Sequence, residues 1–201
     1  LRHGRDTYGP KSTPLFVDGL DIDTLAPVRW KTGDREWVIS NLASQQILFR
    51  TLDGLSALSG EAKYRDAALE AIRYAFTNLR EGGLLIWGGH RAYDASADVP
   101  YVYSGHELKT NYPYYELMWR ADPTVTQQMI EAMWNAHVLD WSILDFNRHA
   151  VPKPLGPLWN NEYKGGPAFF VGEGLTFVIT GSDLYYAAAT LSKLSGSEEP
   201  L

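Results

Sequence analysis

The chain has 201 residues, of which 45% are hydrophobic and 21% charged, a composition typical of a globular protein rather than of a disordered chain. Its formal net charge of −6 argues against nucleic acid as a partner, and the lack of a long uninterrupted apolar run excludes a transmembrane helix. The chain has no cysteine, so any metal ion must be held by His, Asp or Glu.

The first part of the chain predicts loops followed by a helical hairpin. Residues 1–40 are rich in Gly, Pro and Asp and are expected to form loops with at most short strands. A first helix is predicted from an N-cap at Ser40 or Asn41 to Gly60, and a second over residues 61–79. The apolar stripes are Leu48, Leu52, Leu55 and Leu58 in the first helix and Tyr64, Ala68, Ile72, Ala75 and Leu79 in the second. Because only a short turn separates the two helices, they must be antiparallel.

The middle of the chain repeats this arrangement after a long loop. Residues 82–105 contain five glycines and are predicted to form a loop with one short strand. A second helical hairpin is predicted over residues 114–119 and 124–146, with Pro123 in the first turn of its second helix.

The last helix, expected to begin near Asp183, ends in a sequence that repeats an earlier one. Residues 191–196 read LSKLSG, and residues 55–60 read LSALSG. Stacked helical hairpins are the building units of α/α toroids, in which several units close a ring. We therefore predict an all-α fold, in which residues 1–201 are part of a single α/α-barrel catalytic domain. Two and a half hairpins do not close a barrel, so the sequence is expected to be a fragment truncated at the C-terminus and also at the N-terminus, or else an unusually open domain.

Three segments between the helices carry candidate functional side chains. The candidates are His90 in a glycine loop, His106 and Glu107 before the second hairpin, and Arg148 and His149 after it. Two imidazoles and one carboxylate suit a divalent ion such as Mn, Fe, Co, Ni or Zn. The chain lacks H-E-x-x-H, G-x-S-x-G, P-loop and G-x-G-x-x-G motifs, which disfavours common hydrolase and nucleotide-binding functions.

Aromatic residues make up 13% of the chain, and exposed rings are common stacking platforms for sugars. His137 lies near Trp134 and Trp141 on one predicted helical face. It is therefore interpreted as a packing residue of the core or of the hairpin.

Several segments of the sequence resemble the family 2 polysaccharide lyases, which comprise pectate lyases and exo-acting pectate disaccharide-lyases. The resemblance is carried by SNLASQQ at 40–46, WGGH at 87–90, HELKTNYPYY at 106–115, WNAHV at 134–138 and RH at 148–149. It extends through most of the chain, and a block as long as 106–115 is specific.

The resemblance implies an α/α barrel that binds a transition metal, usually Mn, Ni or Co. Carried over residue by residue, the ligands are His90, Glu107 and His149, and Arg148 is the catalytic base. The implied reaction is β-elimination on 1,4-linked galacturonan, in which the C5 proton is removed and the C4 oxygen leaves. From residue chemistry alone, the first interpretation of Arg148 is a clamp for a substrate carboxylate, because an arginine is a poor base.

Four further residues near these segments are candidates for substrate binding: Arg91, Lys109, Tyr112 and Trp159. The cations pair with uronate carboxylates or are solvated surface charges, and the rings stack on sugars or pack in the core. The expected partner is polygalacturonate or its oligomers, with no nucleic acid and no membrane. The oligomeric state stays open. Periplasm and cytoplasm both stay open, because the lack of a recognisable signal peptide means little in a chain that is expected to be truncated at its start.

Two other functions compete with the lyase. A glycoside hydrolase on a helical-hairpin toroid would need two carboxylates, for instance Asp94 or Asp98 together with Glu107, and no metal. Alternatively, the chain is a carbohydrate-binding piece that turns nothing over.

Overall fold

The computed structural model describes residues 1–88, 91–102, 105–108, 112–141, 144–150 and 178–201. Within these residues the chain forms five α-helices and eleven short strands. The helices are α1 Gln46–Ser59, α2 Lys63–Asn78, α3 Tyr115–Ala121, α4 Pro123–His137 and α5 Val178–Ser195. The strands are β1 Trp30–Thr32, β2 Arg35–Trp37, β3 Ile39–Ser40, β4 Arg80–Glu81, β5 Leu84–Leu85, β6 Arg91–Asp94, β7 Val99–Val102, β8 His106–Glu107, β9 Val138–Asp140, β10 Asp145–Phe146 and β11 His149–Ala150.

The predicted hairpin of α1 and α2 is present. α1 ends at Gly60, which adopts the left-handed conformation (φ 74°) and donates its N–H to the Ser56 carbonyl. The Ser56 hydroxyl donates to the Glu61 carbonyl at 2.7 Å and accepts the Arg65 N–H at 2.8 Å. The turn is therefore closed by both backbone and side-chain hydrogen bonds.

The predicted apolar stripe of α1 is confirmed for the buried Leu52 and the half-buried Leu48 and is wrong for Leu55 and Leu58. The stripe of α2 is buried except for the half-buried Tyr64. In α1, Leu55 is 40% and Leu58 89% exposed, and the buried residues are Gln46, Phe49, Leu52, Asp53 and Ser56. Two polar residues of this face bind the segment before α3. Gln46 Oε1 accepts the Tyr114 N–H at 2.7 Å, and Asp53 Oδ2 accepts the Tyr114 hydroxyl at 2.6 Å. These hydrogen bonds lie on the buried face of α1, which the leucine spacing did not identify.

The second predicted hairpin is shorter than expected. Asp122 caps α4 by accepting the Val125 N–H at 3.0 Å, and Pro123 stands in the first turn. α4 ends at His137 rather than near Phe146, because the backbone becomes extended at Val138 and pairs as β9 with β10.

The predicted all-α fold is wrong. Among the described residues, helix accounts for 43% and strand for 18%, and the strands form several antiparallel sheets. These sheets are β1–β2, β3–β6–β7, β4–β5, β8–β11 and β9–β10. Their strands have two to four residues, so they are too short to show the alternation by which strands are recognised in a sequence.

The helices and sheets share one apolar core. α1 packs on α2, α2 on α3, α3 on α4, and α5 on both α3 and α4. The largest fully buried side chains include Tyr115, Phe49, Leu15, Ile72 and Met133. The core therefore supports the short strands that carry the candidate site.

Among the described residues, none of the helices combines the length and the apolar character that a membrane span requires.

Candidate functional site

Two of the predicted metal ligands lie opposite each other on adjacent strands. β8 and β11 are antiparallel, with Glu107 paired to His149 and His106 to Ala150. The pairing continues with a 2.9 Å hydrogen bond from the Leu108 N–H to the Arg148 carbonyl. The Glu107 and His149 side chains are 1% and 6% exposed, and Nε2 of His149 lies 3.5 Å from Oε1 of Glu107.

This separation fits two ligands of one metal ion. An O and an N ligand at ~2.1 Å from a tetrahedral ion are roughly 3.4 Å apart, by the ligand distances typical of zinc. The third predicted ligand, His90, lies outside the described residues. Within the part of the chain that the structure describes, no group of three or more His, Asp or Glu side chains forms a metal site.

Gly88, two residues before His90, lies beside the backbone of Glu107. Gly88 has a φ of +96°, and a Cβ atom there would come within 2.5 Å of the Glu107 carbonyl oxygen, so only glycine fits without displacement. The Asn41 amide donates to the carbonyls of both Gly88, at 2.8 Å, and Arg91, at 3.1 Å. Asn41 therefore bridges the segment that contains His90.

Arg148 shares one carboxylate oxygen with His149. Its Nη2 lies 2.7 Å from Oε1 of Glu107, and its side chain is 41% exposed while that of Glu107 is buried. Arg148 therefore stands at the solvent side of the site. A cation that binds Oε1 of Glu107 competes with the guanidinium for the same oxygen.

Two buried histidines next to the site form a hydrogen-bonded pair. Nδ1 of His106 lies 2.8 Å from Nε2 of His137, and both residues have 0% exposure. Burial, and secondarily the neighbouring His137, lower the pKa of His106 well below its ordinary value. His137 was interpreted from sequence as a packing residue, and the helical pattern around it contained no sign of this hydrogen bond.

The predicted substrate-binding residues differ in their surroundings. Arg91 is 5% exposed and its Nη1 pairs with Oε2 of Glu81 at 2.6 Å. Tyr112 is 52% exposed and contacts Tyr186 edge to face, with ring centroids 5.8 Å apart. Lys109 and Trp159 lie outside the described residues. Of the two described candidates, only Tyr112 offers an accessible surface to a sugar.

The carboxylates required by a glycoside hydrolase have structural partners. Asp94 Oδ2 pairs with Arg35 at 2.9 Å, and Asp98 Oδ2 accepts the Lys11 N–H at 2.7 Å. Although burial raises it, hydrogen bonds from Ser96 and Arg35 keep the pKa of Asp94 below its ordinary value. A general acid needs the opposite shift.

A buried carboxylate that the sequence analysis missed lines a cavity together with Glu107. Asp183, near the start of α5, is 3% exposed, and neither of its carboxylate oxygens has a hydrogen-bond partner among the described residues. Burial raises the pKa of Asp183 to about 6. The lining also includes Gly88, Leu108 and Tyr115. Asp183 therefore adds a second carboxyl group to this cavity.

Comparison with known proteins identifies the family. A sequence model of the family described as periplasmic pectate lyase matches residues 13–201. The pectate disaccharide-lyase of Dickeya dadantii (strain 3937) is 35% identical over 210 aligned positions, which cover 97% of this chain and 38% of that protein. The chain thus spans less than half the length of this curated relative. Both findings lead to the same conclusion: the chain belongs to the periplasmic pectate lyase family, a family of polysaccharide lyases.

Proposed function

We propose that the chain carries the catalytic site of a metal-dependent pectate lyase that cleaves 1,4-linked galacturonan by β-elimination to 4,5-unsaturated oligogalacturonides. The observation that carries this proposal is the convergence of Glu107, Arg148 and His149 on the β8–β11 pair, in a chain of this family. The periplasm named in the family's description is the proposed compartment.

In this proposal His90, Glu107 and His149 hold a divalent ion, with Mn, Ni and Co as the candidates. The 3.5 Å separation of Glu107 and His149, and their burial, support a shared ion. When bound, the ion supplies a Lewis acid that neutralises the C6 carboxylate of the substrate and stabilises the negative charge that develops after C5 deprotonation.

Arg148 is proposed to remove the C5 proton. Its partly exposed guanidinium reaches solvent, while the carboxylate beside it stays buried. The C5–H electron pair forms the C4–C5 double bond, the C4–O bond breaks, and the departing oxygen takes a proton from water. Proton abstraction requires a neutral guanidine, and the proposed elimination is assayed at alkaline pH, where removal of a carbon-bound proton is favoured. Weakening of the Arg148–Glu107 pair, when Glu107 binds a cation, would free the guanidine for the substrate.

The proposed substrate is supported by the negative charge of galacturonan and by an exposed aromatic ring of the chain. Galacturonan carries one carboxylate per sugar, and a free C6 carboxylate is required at the metal. Methylesterified pectin is therefore expected to be a poorer substrate than polygalacturonate. Tyr112, which is 52% exposed, is proposed to stack on a sugar ring.

The test is the absorbance of the unsaturated uronide on polygalacturonate at alkaline pH, with EDTA and with Mn, Co or Ni added back. We expect a rise in absorbance that EDTA abolishes and metal restores. Arg148→Ala should lower kcat by about 10²-fold or more with little change in KM if Arg148 is the base. Arg73→Ala, a change of an exposed arginine on α2, is the matched control and should retain activity.

Other outcomes would give Arg148 a different role or the chain a different function. A KM increase in Arg148→Ala with kcat retained would make Arg148 a carboxylate clamp. New reducing ends without absorbance, insensitive to EDTA, would indicate a hydrolase and refute the lyase. Binding of polygalacturonate without turnover would refute catalysis by this chain.

A further inference from the structure

Four buried groups form a continuous chain of hydrogen bonds next to the candidate site. The Trp87 indole N–H donates to Nε2 of His106 at 3.0 Å, and Nδ1 of His106 lies 2.8 Å from Nε2 of His137. Nδ1 of His137 in turn lies 2.7 Å from the Asn147 carbonyl oxygen. We call Trp87, His106, His137 and Asn147 the histidine relay.

The two ends of the histidine relay fix the position of every proton in it. An indole nitrogen can only donate and a carbonyl oxygen can only accept. His106 must therefore accept at Nε2 and donate from Nδ1, and His137 must do the same. Both imidazoles are then neutral and protonated at Nδ1. All four ring nitrogens are used within the relay, which excludes His106 and His137 as metal ligands.

The histidine relay joins the three segments that carry the proposed site. Trp87 directly precedes Gly88 and the His90 segment, His106 directly precedes Glu107, and Asn147 precedes Arg148 and His149. These segments are distant in sequence but meet through side chains that are almost completely buried.

Asn147 also connects the histidine relay to the backbone of α4 and to that of β11. Its N–H donates to the His137 carbonyl at 2.8 Å, and its side-chain Oδ1 accepts the His149 N–H at 2.9 Å. His137 is the last residue of α4, so the relay ties β11 to the end of a helix. Hydrogen bonds are directional, and they fix the strand position more narrowly than apolar packing does.

We propose that His106 and His137 are positioning residues whose relay sets the register and spacing of β8 and β11, and thereby of Glu107 and His149. The effect on metal binding rests on the proposed function, whereas the effect on the strands does not. The relay acts through the backbone of β8 and β11, because the ring nitrogens of both histidines are already used in hydrogen bonds within it.

The first experiment examines the 201-residue chain by NMR. Long-range ¹⁵N spectra of the imidazoles at pH 7.5 should show the Nδ1–H form for both His106 and His137. An Nε2–H form at either residue would overturn the relay. This readout needs neither metal nor substrate.

The second experiment compares His137→Leu with Ile130→Ala, which truncates another fully buried residue of α4. We expect the Leu108 amide, which bonds across β8 and β11, to exchange at least tenfold faster relative to the Ile72 amide in His137→Leu. The same ratio should be unchanged in Ile130→Ala. Equal ratios in the two variants would show a merely structural histidine and overturn the proposal.

The third measurement is Mn²⁺ affinity by titration calorimetry. His137→Leu is expected to bind at least tenfold more weakly than the wild type, as for loss of groups that orient metal ligands. His137→Gln, which restores an acceptor for His106, should recover part of that loss. Unchanged affinity in His137→Leu would overturn the positioning role. If the wild type binds no Mn²⁺, the proposed function fails, while the first two experiments still decide the relay.

Discussion

The α1–α2 hairpin and the β8–β11 pair are held together in different ways. The hairpin is local in sequence and depends on a helix C-cap, a hydroxyl in the turn and apolar packing. The strand pair has only two residues on each strand and depends on contacts from distant segments. The α1–α2 hairpin, which we call the helical frame, and the candidate site are therefore stabilised by different kinds of interaction. Substitutions in the two regions should differ in their effects on stability and on activity.

The largest effect is expected at Gly88. Gly88→Ala places a Cβ atom 2.5 Å from the Glu107 carbonyl oxygen at a φ of +96°, so β8 or the glycine segment must move. We expect a loss of about 2–4 kcal/mol in unfolding free energy, measured by urea denaturation, from strain and overpacking. Lyase activity should fall in parallel. Wild-type stability in this variant would contradict the close contact.

The next effect concerns Asp183 and appears as a pH dependence. Its pKa is raised from 3.8 unfolded to about 6 folded, so its contribution to stability is fully present below pH 3.8 and is lost as pH rises through 6. Asp183→Asn cannot ionise. The difference in unfolding free energy, variant minus wild type, should therefore increase by roughly 2–2.5 kcal/mol between pH 4 and pH 7. A difference independent of pH would show that the carboxyl has no raised pKa.

A smaller loss is expected at Asp53 in the helical frame. Asp53 accepts the Tyr114 hydroxyl at 2.6 Å and also pairs with Arg65, and its side chain is 11% exposed. Against the opposing effect of burial, these partners lower its pKa. Asp53→Asn should cost about 1–2 kcal/mol at pH 7, and the cost should shrink as pH falls through the folded pKa, below 3.8. Thermal unfolding at pH 7 and pH 3 measures both values.

The smallest effect is a gain in stability, expected at Gly54. This glycine lies inside α1, and an added Cβ atom would meet nothing within 4 Å. Gly54→Ala should stabilise the chain by roughly 0.5–1 kcal/mol through helix propensity, with lyase activity unchanged. It is the matched control for Gly88→Ala. The same change from glycine to alanine should stabilise the helical frame at position 54 and disturb the candidate site at position 88.

The sequence predicted the parts of the fold that depend on neighbours in the chain. The stripe of α2, the cap at Gly60 and the first turn at Pro123 follow from periodicity and local conformational preference. The prediction failed for Leu55 and Leu58 of α1, because the orientation of this helix also depends on Gln46 and Asp53, whose partner Tyr114 lies more than 60 residues away. No local pattern indicates such a partner.

Only some residues of the candidate site could be predicted from the sequence. The sequence motifs predicted Glu107, Arg148 and His149 as functional residues, and the structure places these three side chains together. The strands that carry them were missed, because two-residue strands show no alternation. Asp183 and the pairing of His106 with His137 were missed as well, since a buried carboxylate and a hydrogen bond across 31 positions require the tertiary fold.

The guanidinium of Arg148 already places a positive charge beside the buried carboxylate of Glu107. A cation that binds Oε1 of Glu107 must therefore exchange one charge interaction for another. The net free energy of binding is then smaller than the attraction between the cation and the carboxylate alone, so salt and substrate that draw Arg148 away should favour the cation.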